Sequence, residues 1–169
     1  MSRNYTDVDG ERTEIGTLEY RAKQCGDKDA VTTLARQCVD TIKDFPLYND
    51  ADLVCAVPPR PGKNFDLPSA LTSRVGAELG KSDITHHLSF GAQKMSAKSA
   101  TLDDKWAAWE AAQLAFNGTD ITDKRIILID DKYQSGTTIQ YIAMKLQEAG
   151  AGRIYGLCVV KTMRDTDNR

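Results

Sequence analysis

Hydrophobic and polar positions along this chain switch between two periods. Val31, Leu34, Ala35, Cys38, Val39 and Ile42 recur at helical spacing behind Asp27 or Asp29, either of which can cap the helix, and Pro46 ends it. Asp52 to Val57 is mostly apolar and predicts a buried strand, after which Pro58, Pro59, Pro61 and Gly62 force a loop. Asp66 and Pro68 open a second helix through Leu71, Val75 and Leu79, and Gly80 is suited to end it. A short strand is expected near Ile84 to Leu88. Leu102, Trp106, Trp109 and Phe116 fall on one helical face ahead of an Asn117-Gly118 turn, and this aromatic stripe reads as core rather than as a base-stacking platform. Ile126 to Asp130 predicts another buried strand. Ile139, Ile142, Ala143, Leu146 and Ala149 predict an amphipathic helix stopping at Gly150, and Ile154 to Val160 a last strand. Thr13 to Ala22 is expected to be a short leading strand or arm.

Strands and helices alternating at short loop lengths predict an α/β fold, a parallel sheet with helices on both faces. A length of 169 residues suits one core, so a single domain over residues 1–169 is expected. Residues 1–26 form its N-terminal arm or strand. Residues 89–101, rich in small, polar and basic side chains (Gly91, Gln93, Lys94, Ser96, Lys98, Ser99), form a mobile loop. The net charge of -2 and pI near 5.7 give no electrostatic reason to favour nucleic acid as the main partner. No apolar stretch approaches the roughly 20 residues that span a bilayer, and Met1-Ser2-Arg3-Asn4 lacks a signal-peptide core, so a cytoplasmic protein is expected. Cys25, Cys38, Cys55 and Cys158 lack the paired short spacing of zinc sites. The last three lie on apolar faces or runs and predict buried thiols.

The candidate chemistry gathers where the strand Ile126 to Asp130 meets the helix after it. Ligands of open α/β sheets sit outside the carboxyl ends of strands, and a following helix offers N–H groups and a positive dipole end to an anion. Gly136 lets the backbone approach such an anion, while the hydroxyls of Ser135, Thr137 and Thr138 donate to phosphate oxygens without adding charge. Asp130 and Asp131 would repel a phosphate, so their natural partners are ribose hydroxyls or a hydrated Mg²⁺. A solvated Asp pair before an ordinary helix start is the bland alternative.

Ile127 through Thr138 resembles the 5-phosphoribosyl-1-diphosphate (PRPP) binding motif of type I phosphoribosyltransferases, and the order of elements from about Asp52 to Val160 is similar to that family's core. Its flavour is nearest the ComF-like branch, although that branch's N-terminal zinc-binding Cys cluster has no counterpart here. The resemblance implies a type I phosphoribosyltransferase-like, Rossmann-like domain that binds PRPP through Asp130, Asp131, Tyr133, Gln134, Ser135, Gly136, Thr137 and Thr138. The loop with Pro58, Pro59, Arg60, Gly62 and Lys63 matches the family's diphosphate loop in position; a stiff connector is the alternative. Residues 89–101 match the hood that closes over the reactants, where Lys94 and Lys98 either approach the diphosphate or stay solvated. Asp131, Lys94 and Lys98 are the implied catalytic set.

The implied reaction is displacement of diphosphate from C1 of PRPP by a nucleophile, usually a nitrogen. Mg²⁺ rides on PRPP, with water-mediated contact to Asp130 and Asp131, and the protein mostly positions the reactants and neutralises leaving charge. Two positions depart from the pattern. Gln134 stands where some purine-base members carry a carboxylate, and Lys132 where an apolar residue is commoner. His86 and His87 have acid/base or ligand roles open to them beside a structural or exposed one. Three functional readings follow: a PRPP-dependent transferase, with a homodimer as the assembly open to it, which leads; a PRPP- or nucleotide-binding regulator without turnover; and a ComF-like accessory protein of DNA uptake or processing.

Overall fold

A computed structural model describes residue 6, residues 10–59, residue 62, residues 65–91 and residues 102–162. In chain order the elements are α1 (Glu14–Gln24), α2 (Lys28–Asp44), α3 (Pro46–Asn49), β1 (Leu53–Ala56), α4 (Leu67–Leu79), β2 (Ser82–Asp83), a 3₁₀ turn (Thr85–His87), β3 (Leu88–Phe90), α5 (Leu102–Ala111), β4 (Leu114–Phe116), β5 (Ile126–Tyr133), α6 (Thr137–Glu148) and β6 (Ile154–Lys161). Among the described residues a parallel sheet runs in the order β2-β1-β5-β6, and β3 pairs antiparallel with β4.

The central strands are apolar on consecutive positions because both faces are covered. Ile127 and Ile129 of β5 and Val54 of β1 point into a core with α1, α2 and α4, through Leu34, Ile42, Leu67 and Leu71. Their neighbours Ile126, Leu128 and Cys55 point into the opposite core with α5 and α6, through Trp109, Tyr141, Ile142 and Leu146. Each residue along a strand faces the other side from the last, so an unbroken apolar run fits only a sheet sandwiched between helices. That is the α/β architecture expected from the sequence.

Sheet order also fixes where a ligand can sit. From β1 the chain crosses by α4 to β2 on one side, and later enters β5 on the other side of β1 and crosses by α6 to β6. The strand order reverses between β1 and β5, and the segments leaving their carboxyl ends diverge there. A crevice between them is the switch-point site of open α/β sheets.

Four local expectations are corrected. The leading strand or arm at Thr13 to Ala22 is helical: Thr13 caps α1 by accepting from the Gly16 N–H at 3.1 Å, with Glu14 in the first turn and Arg21 and Lys23 in the last. Its fully buried positions are Gly16, Glu19 and Ala22, one charged and two small, and Ile15 and Leu18 pack only partly buried against the core, so the apolar helical face is weak. The short strand expected near Ile84 to Leu88 is a 3₁₀ turn at Thr85–His87 that leads into β3 at Leu88, with Thr85 accepting the Ala56 N–H at 2.7 Å and donating to Asp83. Phe116 lies in β4 rather than on the helix of Trp106 and Trp109, because Leu88 pairs with it across the small sheet. Residues 89–101 begin as strand, with Ser89 and Phe90 in β3; residues 92–101, and with them Lys94 and Lys98, lie outside the described residues.

Candidate functional site

β5 runs three residues beyond the strand expected from the sequence, since β6 pairs with it as far as Tyr133 opposite Lys161. Asp130 and Asp131 are therefore strand residues, 8% and 6% exposed. Beside them Val57 continues β1 by donating its N–H to the Ile129 carbonyl at 2.9 Å, which sets Pro58 and Pro59 against the acidic pair. A cavity of about 420 Å³ opens at this switch point, walled by Asp130, Asp131, Lys132 and Thr138 from the β5–α6 side and Val57, Pro58 and Pro59 from the β1 side. Asp66, Pro68, Phe90, Trp109, Lys23 and Gln24 complete it. Thus Asp130, Asp131, Pro58, Pro59 and Thr138 line one cavity. Gly62 is described and exposed; Arg60 and Lys63 lie outside the described residues.

The turn after β5 is built for close approach. Gly136 has φ 79°, in the left-handed region, and heads α6 as its N-cap with no side-chain cap among the described residues. The first turn's N–H groups, at Thr137, Thr138 and Ile139, precede any intrahelical acceptor, since Gln140 is the residue that donates back to the Gly136 carbonyl at 3.0 Å. Ser135 Oγ and Thr137 Oγ1 are 2.9 Å apart and hydrogen-bonded, while Gln134 is exposed. Tyr133 has a different place from the one expected. Its ring packs so closely under Gly136 that a Cβ there would fall 2.6 Å from the hydroxyl oxygen, and it lines a second cavity of about 380 Å³ with Cys38, Cys158 and Lys161.

The acidic pair carries a charge network that the sequence reading missed. Lys23, near the end of α1, forms an ion pair with Asp131, and its ammonium lies 3.8 Å from Glu19 Oε1, one helical turn back. Lys132 reaches the other Glu19 oxygen at 3.9 Å. Burial raises the Glu19 carboxyl above its ordinary range, with Lys132 and Lys23 opposing that rise. Burial disfavours the Lys23 ammonium, but Asp131, with Glu19 and Asp130 behind it, more than offsets this and holds it above the usual lysine value. The Asp130 carboxyl is pushed well up, first by burial and then by the Asp131 charge, even though it accepts the Asp131 N–H at 2.8 Å. Glu19 and Lys23 stand at i and i+4, the spacing of a helical ion pair, a signal for α1 beside the Thr13 cap and the charges at its ends.

Aromatic residues close the far wall. Trp109 is 3% exposed, stacks on Tyr141 at 5.5 Å between centroids and faces Phe90 at 6.1 Å. It is a core residue, as expected, whose edge reaches the cavity together with Phe90. His86 is exposed and borders an adjoining cavity with Pro58, Pro59, Asp83 and Thr85; His87 stacks on it at 3.9 Å. Cys38 and Cys55 are buried thiols as expected, Cys158 is half-buried and Cys25 exposed. Burial raises the Cys55 thiol to about 12, so neither metal binding nor nucleophilic chemistry suits it. Among the described residues no helix is long and apolar enough to cross a membrane.

Comparison with known proteins gives the fold a family context. No protein-family model matches the chain, and no curated protein matches it in sequence. Solved structures do. An adenine phosphoribosyltransferase from Thermoanaerobacter pseudethanolicus superposes with a TM-score of 0.52 at 16% identity, over 81% of this chain and 83% of that one. The adenine phosphoribosyltransferase of Leishmania tarentolae gives 0.50 at 12% identity, over 94% and 84%. The chain has the type I phosphoribosyltransferase fold.

Proposed function

We propose that this protein binds PRPP at the β1/β5 switch point and transfers its phosphoribosyl group to a nitrogenous acceptor, releasing diphosphate. The observation that carries the reading is the pairing of two buried carboxylates at the end of β5 with an open, glycine-headed helix start in the next turn. A carboxylate pair accepts hydrogen bonds from vicinal hydroxyls, and the N–H groups and hydroxyls of Ser135 to Thr138 receive a phosphate one sugar-length away. Pro58 and Pro59 place the β1 loop on the opposite wall, where a group leaving C1 would depart.

Mg²⁺ fits this site as a passenger of the ligand. Asp131 is already taken by Lys23, and among the described residues no group of three or more His, Cys, Asp or Glu is placed to hold a metal. The donor set matches an ion carried on diphosphate oxygens, where it would neutralise leaving charge. The chain's own residues hold the ribose and the phosphate and, through Trp109 and Phe90, keep water from one side of the reacting centre. Gln134 favours a second reading in which the pocket binds PRPP without turnover, since an amide cannot serve as a base at neutral pH.

PRPP with Mg²⁺ at about a hundred times its dissociation constant should stabilise the protein by roughly 2.7 kcal/mol, visible as a raised Tm. Calorimetric heat and diphosphate release then separate binding from turnover. Saturating PRPP·Mg²⁺ giving neither a melting shift nor heat would end the PRPP reading.

A further inference from the structure

We infer that Lys23 is a specificity-determining residue, which reserves the acidic pair for the hydroxyls of a sugar by keeping divalent cations off its carboxylates. The inference deepens the PRPP reading and rests on it for the identity of the sugar. Adjacent carboxylates are the hard oxygen donors that Mg²⁺ and Mn²⁺ coordinate directly. Asp130 and Asp131 line the cavity with Asp66, so an acidic floor is presented to any cation entering from solvent. Lys23 enters the same cavity from α1 and occupies Asp131 with its own ammonium. A metal coordinating Asp131 would meet that charge at contact distance, where repulsion is strong even at the moderate effective dielectric of a protein cleft.

The ammonium is held in place from behind. Glu19 is 2% exposed, sits 3.8 Å from Lys23 on the same helix and is joined at 3.9 Å by Lys132 from β5. The arrangement ties α1 to the strand that carries the acidic pair, so the cation cannot leave without abandoning a buried carboxylate. A hydroxyl meets no such obstacle: it is neutral, and each carboxylate oxygen has lone pairs beyond the one given to Lys23 or to the Asp131 N–H. Diol and metal are thereby distinguished by charge alone.

The test uses the full chain without sugar ligand and follows Mn²⁺ by electron paramagnetic resonance. The parent and Lys23→Arg should show no Mn²⁺ bound at the pair at millimolar metal, whereas Lys23→Gln should gain a site at least about tenfold tighter. Adding Asp131→Asn to Lys23→Gln should abolish the gain. A folded Lys23→Gln that gains nothing overturns the inference. So does a parent that binds Mn²⁺ and loses it in Asp131→Asn, a measurement that stands even if Lys23→Gln does not fold. PRPP·Mg²⁺ calorimetry on the parent is the separate arm: no heat there, with the Mn²⁺ gain intact, removes the PRPP reading and leaves cation exclusion standing.

Discussion

Gly136→Val is expected to abolish binding of 5-phosphorylated riboses while leaving the sheet assembled. Two effects coincide at this position. The backbone has φ 79°, which a β-branched residue adopts only under strain, and the new Cβ would fall 2.6 Å from the Tyr133 hydroxyl oxygen and 2.9 Å from its ring carbons. Relief requires the turn to leave its left-handed conformation or the tyrosine to move, and either one redirects the N–H groups at the head of α6. A stability loss of about 1–3 kcal/mol should accompany this, the usual cost of a residue forced into sparsely populated backbone space. The clash falls on Tyr133 at the very end of β5, beyond the strand's buried core residues, so far-ultraviolet circular dichroism should stay close to the parent's. Calorimetry with PRPP·Mg²⁺ checks the outcome, and retained affinity would show that the turn is only a helix start.

Asp130→Asn and Asp131→Asn should each weaken PRPP binding by the ~1.5–3 kcal/mol of a charge-assisted hydrogen bond, yet move stability in opposite directions. Burial and the Asp131 charge raise the Asp130 carboxyl, so its ionised form is the disfavoured one in the fold. A raised acid contributes stability that is complete below the unfolded value and is lost as pH rises through the folded one. Asp130→Asn removes that loss and keeps an oxygen for the Asp131 N–H, so it should melt above the parent at neutral pH, the gap closing toward about pH 4. Asp131→Asn instead strips Lys23 of its carboxylate and should melt lower. Thermal melts across pH with calorimetry on both variants decide it. Equal melting shifts would mean that the charge network does not operate, and parent-like PRPP affinity in both would move the ribose site elsewhere.

The motif from Ile127 to Thr138 was legible because everything it needs is local: an apolar run, two carboxylates, and a glycine between hydroxyls in one stretch of chain. The same holds for α2, α4 and α6, whose caps and 3.6-residue periods lie within their own residues, and for β1 and β6, whose apolar runs mark them as strands although β6, at the sheet edge, is only partly buried. What failed was whatever depended on distant pairing. Phe116 reads as helical until β3 is present to pair with it, and β5 ends at Asp130 until β6 extends it to Tyr133. α1 hides because its buried face carries Glu19, whose burial is offset there by the ammonium groups of Lys23 and Lys132. Sequence alone determined the fold class and the two carboxylates, since periodicity and adjacency are properties of the chain. The tertiary structure alone decided that Lys23 pairs with Asp131, because contacts between residues far apart in sequence leave no periodic trace, and that the Tyr133 ring turns from the switch-point cavity to pack under Gly136, since β6 extends β5 that far.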